Sequence, residues 1–103
     1  MFFREMEEAD LSEILLLDRE IFRSMAYSER DFRYAISGKY DRAILLVEEE
    51  QIIAYGILRL LGTEGELESI AVRKEYRGRG YGRLLLSEFL RLAKLAGTEK
   101  LFL

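Results

Sequence analysis

Apolar and polar residues alternate along this chain in two rhythms. Leu11, Ile14, Leu15, Asp18, Ile21 and Phe22 recur at helical spacing with charges between them, which predicts a helix over Leu11 to Ser24. Asp10-Leu11-Ser12-Glu13 at its head reads as a capping box, an N-cap acceptor followed three residues later by a glutamate. Before it, Phe2 to Met6 reads as a short strand. Ser28-Glu29-Arg30-Asp31 is a second capping signal. Phe32, Ala35 and Ile36 form one apolar stripe behind it, and Gly38 stands where a helix C′ glycine belongs.

The rhythm then shortens. Ala43 to Glu48 and Gln51 to Leu61 are β-branched and aliphatic runs, which predict a hairpin turning at Glu49-Glu50. Gly62-Thr63-Glu64-Gly65 reads as a further turn and Glu66 to Val72 as a further strand. Gly82 to Ala96 predicts a helix whose leucines form a core face, with Gly97 as its cap. Leu101-Phe102-Leu103 begins a last strand. The predicted order is β-α-α-β-β-β-α-β, an α/β (α+β) class chain in one domain over residues 1–103, with no repeat or internal linker. Ending on an apolar strand, it reads as the front part of a larger fold.

Composition narrows the chemistry. At 103 residues the chain is one small domain, burying about 60–65% of its unfolded surface. Its net charge of −3 argues against a general nucleic-acid binder. No apolar run approaches the roughly 20 residues that span a bilayer, and no signal peptide is visible at Met1-Phe2-Phe3-Arg4-Glu5. A cytoplasmic protein with no membrane partner is expected. The chain has no Cys and no His. Disulfides, thiolate nucleophiles, imidazole bases and Cys or His metal sites are therefore absent, and proton transfer falls to Asp, Glu, Lys, Tyr, a terminus or water. Abundant Arg and Glu with no Asn lean toward a heat-adapted source, while the absence of Pro leans the other way.

Positive charge and backbone freedom concentrate in Glu75-Tyr76-Arg77-Gly78-Arg79-Gly80-Tyr81-Gly82-Arg83, between a strand and a helix. A helix start offers unpaired N–H groups and a partial positive charge, which attract anions. Gly78, Gly80 and Gly82 let backbone come close to a phosphate, and Arg77, Arg79 and Arg83 add charge around it. A phosphate or pyrophosphate is the natural occupant. The residues after Gly82 do not make a Walker loop, and the glycine spacing does not make a dinucleotide fingerprint. A solvated strand-to-helix connection is the plain alternative.

The run Val72-x-x-x-Tyr76-Arg77-Gly78-x-Gly80-x-Gly82, followed by a leucine-rich helix, resembles the acetyl-CoA motif of the GNAT acetyltransferases. Their Arg/Gln-x-x-Gly-x-Gly/Ala signature is met by Arg77, Gly80 and Gly82. The element order resembles the first two-thirds of that fold. Within the family, Glu20-x-Phe22, Tyr27-Ser28-Glu29-x-x-Phe32 and Leu67-x-Ser69-Ile70-Ala71-Val72 look most like the ribosomal-protein alanine N-acetyltransferases. The resemblance implies a mixed, mostly antiparallel sheet with flanking helices, lacking the family's C-terminal helix and last two strands.

It also implies a reaction. The pyrophosphate of acetyl-CoA would lie on the N–H groups of Arg77, Gly78, Arg79, Gly80, Tyr81, Gly82 and Arg83. The pantetheine arm would run beside Ile70, Ala71 and Val72, where a backbone N–H could polarise the thioester carbonyl. An amine would attack directly, with no metal, after losing its proton to a carboxylate. The candidate bases are Glu66 and Glu68, whose side chains a strand puts on one face, alternating with Leu67 and Ser69; the plain alternative is that both are exposed strand carboxylates. The family's other acid and base positions lie beyond Leu103. The implied acceptor is a protein N-terminus or a small amine. The uncovered last strand implies self-association. Two other readings stand: a non-catalytic CoA-binding or interaction fragment, and an Arg-Gly contact to RNA.

Overall fold

The computed structural model describes the whole chain, Met1–Leu103. Its elements follow the expected order: β1 (Phe2–Glu5), α1 (Leu11–Phe22), α2 (Glu29–Ser37), β2 (Asp41–Glu48), β3 (Gln51–Leu61), β4 (Glu64–Val72), α3 (Tyr81–Leu95) and β5 (Lys100–Phe102). The five strands lie side by side in sequence order. The first three pairings are antiparallel, and β4 with β5 is parallel.

Helices cover both faces of the sheet. Against one face, Leu11, Ile14 and Leu17 of α1 and Phe32 and Ala35 of α2 pack with Leu45, Val47, Tyr55 and Ile57. Against the other, Leu85, Phe89 and Leu92 of α3 pack with Ile44, Leu46, Ile53 and Leu58. Burying each such side chain contributes roughly 1.5–3 kcal/mol. Phe89 sits so close to the sheet that a Cβ on Gly56 would lie 2.6 Å from its ring. That contact seats α3 across β3 and β4 and aims its N-terminus at the end of β4.

Several local expectations are corrected. Asp10 does not cap α1 with its side chain. Its carboxylate accepts from the Glu7 N–H at 2.7 Å and from Arg4 at 2.8 Å, so the capping box spans Glu7–Asp10 around a short 3₁₀ turn. Helix α1 ends at Phe22 instead of Ser24, because Arg23 takes φ 52° and the chain turns into another 3₁₀ segment. The turn after β3 is only Gly62-Thr63, so β4 starts at Glu64 instead of Glu66. Helix α3 starts one residue earlier than expected, at Tyr81.

Other expectations hold. Ser28 and Asp31 form a reciprocal box at the head of α2, and Gly38 closes it at φ 72°. Glu49 and Glu50 make the β2–β3 turn, both at positive φ. Gly97 ends α3 at φ 81°, with Thr98 N–H on Ala93 O.

Candidate active site

Between β4 and α3 the chain makes a 3₁₀ turn over Lys74–Tyr76 and then the glycine-arginine loop. Gly78 and Gly80 take φ 79° and 85°, where side chains other than glycine are strained. Those two inversions release the backbone. None of the N–H groups of Gly78, Arg79, Gly80, Tyr81, Gly82 or Arg83 donates to a protein acceptor; the first bond of α3 is Leu84 N–H to Gly80 O at 3.1 Å. Six successive donors are thus open at a helix N-terminus. Arg77 departs from the expected set: its N–H turns back to Lys74 O at 3.4 Å, and its Nε donates to Val72 O at 3.0 Å.

Gly82 is different from its two neighbours. It has ordinary helical φ, and a Cβ there would meet only Val72 Cγ2, at 3.6 Å. Nothing within the protein requires a glycine at this position. Around the loop, Arg79 stacks over the Tyr76 ring, whose hydroxyl donates to Gln51 Oε1. Tyr81 packs edge-on against Tyr76. Arg83 is exposed and has no acidic partner.

The strand leading to the loop has an open flank. β5 pairs only with Glu64, Gly65 and Glu66. Arg73 N–H bonds Ile53 O, so strand alternation turns Ala71 toward β3 and the backbone groups of Ile70 and Val72 outward. Val72 O already accepts from Arg77, which leaves the N–H groups of Ile70 and Val72 facing that flank.

A bulge sets the carboxylates. Ile57 lies opposite Ser69 and Leu58 opposite Leu67, so Glu68 is an extra residue in β4. Glu66, opposite Arg59, and Glu68 face the α1–α2 side together, as expected. Ser69 does not alternate with them: opposite Ile57, it joins the same face. The two glutamates differ in surroundings. Glu66 is exposed at the β4–β5 pairing. Glu68 is half-buried, 3.4 Å from the Tyr27 hydroxyl and 3.5 Å from Arg59 Nη1.

Sequence reasoning missed the frame around Glu68. Arg59 Nε and Nη2 also donate to the buried Asp41 carboxylate, at 2.9 and 3.4 Å. That bond holds the guanidinium above its ordinary pKa. Tyr27 is tethered through its N–H to Asp18, and burial, then Glu68, push its phenol up to about 12. Asp18 was the available signal, an acid on the apolar stripe of α1. A cavity of about 640 Å³ opens beside this frame, with Tyr27, Tyr34, Asp41 and Arg59 in its wall. No cluster of three or more acidic, Cys or His side chains is placed to hold a metal ion. No helix is long and apolar enough to cross a membrane.

Comparisons with known proteins agree with this geometry. A ribosomal-protein alanine N-acetyltransferase of Haemophilus influenzae is 36% identical over 58 residues, covering 56% of this chain and 40% of that protein. The chain thus aligns with less than half the length of that curated relative. The crystal structure of the ribosomal-protein alanine N-acetyltransferase of Escherichia coli superposes with a TM-score of 0.81 at 22% identity, covering 94% of this chain and 61% of that one. An aminoglycoside 6′-N-acetyltransferase of Acinetobacter haemolyticus also gives 0.81, at 21% identity, covering 99% and 77%. The model of the Acetyltransferase (GNAT) family matches residues 8–103, and this chain belongs to that family.

Proposed function

We propose that this protein is an acetyl-CoA-dependent N-acetyltransferase whose acceptor is a protein N-terminal amine. The observation that carries the reading is the row of six unpartnered N–H groups from Gly78 to Arg83 at the start of α3. In a family that transfers acetyl groups, the pyrophosphate of acetyl-CoA is the anion that suits this row. Arg77, Arg79 and Arg83 surround it with charge, and Gly82 leaves room for its close approach. The pantetheine arm lies along the open flank of β4 and pairs with Ile70 and Val72, Ala71 lying between them. A backbone N–H of that flank polarises the thioester carbonyl as it becomes an oxyanion.

The acceptor ammonium gives one proton to Glu66 or Glu68. Its nitrogen then bonds to the acetyl carbon, the carbon–sulfur bond breaks, and the leaving thiolate takes the second nitrogen proton. No covalent enzyme intermediate is needed. The alignment with the Haemophilus relative favours a polypeptide amine. The structural likeness alone does not separate this from a small amine, because the aminoglycoside enzyme superposes equally well. Abundant Arg and Glu favour a heat-adapted source, although the absence of Pro leans the other way.

Thermal unfolding with CoA, acetyl-CoA and ATP tests the binding step. CoA and acetyl-CoA at about 100 times Kd add about 2.7 kcal/mol, and ATP adds less. Equal stabilisation by ATP, or none by CoA, contradicts the reading. Incubation with acetyl-CoA and an alanine-starting peptide tests turnover. Stabilisation without any product favours a non-catalytic CoA-binding protein.

A second partner reading rests on β5. Its outer edge is unpaired, and Phe102 is 53% exposed. Such an edge accepts another strand, so this 103-residue chain self-associates in light scattering. A clean monomer contradicts that.

A further inference from the structure

We propose that Arg59 is a positioning residue that selects Glu68, and not Glu66, as the base for the acceptor ammonium. The inference rests on the acetyl-transfer reading above and names the residues that make one carboxylate the proton acceptor.

The bulge at Glu68 is the starting point. Period-two alternation already gives Glu66 and Glu68 the same face, and the bulge leaves Glu68 without a partner residue on β3. Both carboxylates face the α1–α2 side, and Arg59 stands opposite Glu66 in register. Its guanidinium nevertheless reaches Glu68 at 3.5 Å, and no ion pair with Glu66 forms. The reason lies at its other edge. Asp41, 3% exposed, takes Nε and Nη2 of Arg59 and fixes the plane of the guanidinium. Nη1, which makes no bond to Asp41, is the atom that comes within 3.5 Å of Glu68.

The opposite side of Glu68 is fixed in a similar way. Asp18, 1% exposed, accepts the Tyr27 N–H at 2.8 Å and so anchors the segment between α1 and α2. The Tyr27 hydroxyl then lies 3.4 Å from Glu68 Oε2. Two buried carboxylates on two separate elements thus hold the two groups that flank Glu68. Both contacts to Glu68 are long, as contacts of a base often are before substrate arrives. The cavity walled by Tyr27, Tyr34 and Arg59 opens beside the two side chains that flank this carboxylate, whereas Glu66 borders a smaller hollow with Arg59 and Phe102 at the β4–β5 pairing. In the reaction the ammonium N–H bond breaks toward a Glu68 oxygen. The free amine forms the new N–C bond, and the departing thiolate takes the remaining proton.

Steady-state kinetics of the 103-residue chain with acetyl-CoA and an alanine-starting peptide test this, with Glu68→Gln, Glu66→Gln, Arg59→Lys and the paired change Arg59→Met with Asp41→Asn. The pair is chosen because Arg59→Met alone would strand a buried charge and could unfold the chain. Glu68→Gln lowers kcat by about 100-fold or more, at least about 10-fold more than Glu66→Gln does. The paired change lowers kcat on the order of 10- to 100-fold while the KM for acetyl-CoA holds. Arg59→Lys restores most of that loss, a rescue that a purely structural role would not produce. A large loss in Glu66→Gln with Glu68→Gln active overturns the proposal, as does a paired variant with unchanged kcat.

A second readout needs no turnover. With CoA bound, the same peptide raises the unfolding temperature of the wild type and of Glu66→Gln but not of Glu68→Gln. An equal rise in Glu68→Gln, or no rise in the wild type, overturns the placement of the amine at Glu68. Failure of the broader reading looks different: CoA itself then gives no stabilisation in any variant.

Discussion

The Tyr55 hydroxyl, in the middle of β3, donates to the Asp18 carboxylate of α1 at 2.7 Å, and both groups are about 1% exposed. Asp18 also accepts the Tyr27 N–H, so one buried acid ties α1, the sheet and the α1–α2 connection together. Burial, then the bond to Asp18, pushes the Tyr55 phenol well above its ordinary pKa.

Tyr55→Phe removes one of the two donors that satisfy Asp18. A buried acceptor left short costs about 1–3 kcal/mol. Urea unfolding should report that loss with an unchanged slope. A variant as stable as the wild type contradicts the assigned role.

Tyr27 yields a prediction in alkaline solution. Its phenol is pushed up to about 12, first by burial and then by Glu68, from an ordinary value of 10. The folded protein therefore holds this proton more tightly than the unfolded chain. The stability so gained is complete below pH 10 and is lost as pH rises toward 12. Stability should fall across that window, and Tyr27→Phe should reduce the fall. Glu68→Gln should bring the Tyr27 midpoint down part of the way, as read from its ring carbon by NMR.

The β2–β3 turn carries strain. Glu49 and Glu50 have φ of 49° and 65°, a geometry that favours Asn-Gly in a two-residue hairpin. Replacing the pair with Asn-Gly should stabilise the chain by about 1 kcal/mol, seen as a higher urea midpoint. No gain would mean the turn relaxes in solution.

Much of the fold was legible because local chemistry and tertiary structure agree. Ser28 and Gly38 bound α2 as their side chain and backbone preferences require, and the shift from helical to alternating rhythm marks where the sheet begins. The loop between β4 and α3 could be placed from its glycines and arginines alone. What could not be read is what depends on register. That Glu68 is a bulge residue is decided by the pairing of Ile57 with Ser69 and Leu58 with Leu67. The bond from Arg59 to Asp41 joins residues on adjacent strands whose separation in sequence says nothing of contact. Asp10 misled for a related reason: Arg4 and the Glu7 N–H compete for its carboxylate and win it from α1.

Gly82 separates the needs of the fold from those of the ligand. Gly82→Ala meets no protein clash and adds a better helix former, so stability should rise by about 0.5–1 kcal/mol. The proposed docking brings the pyrophosphate onto the Gly82 backbone, so stabilisation by acetyl-CoA should shrink or vanish with the added methyl group. A variant that is more stable yet binds acetyl-CoA as before would contradict the close approach.

The most direct measurement is a titration of the isotope-labelled chain with CoA, followed by its backbone amide resonances. The account predicts the largest shifts at Gly78, Arg79, Gly80, Tyr81, Gly82 and Arg83, with Ile70 and Val72 following. Binding that leaves those six amides unmoved, or no binding at all, would contradict it.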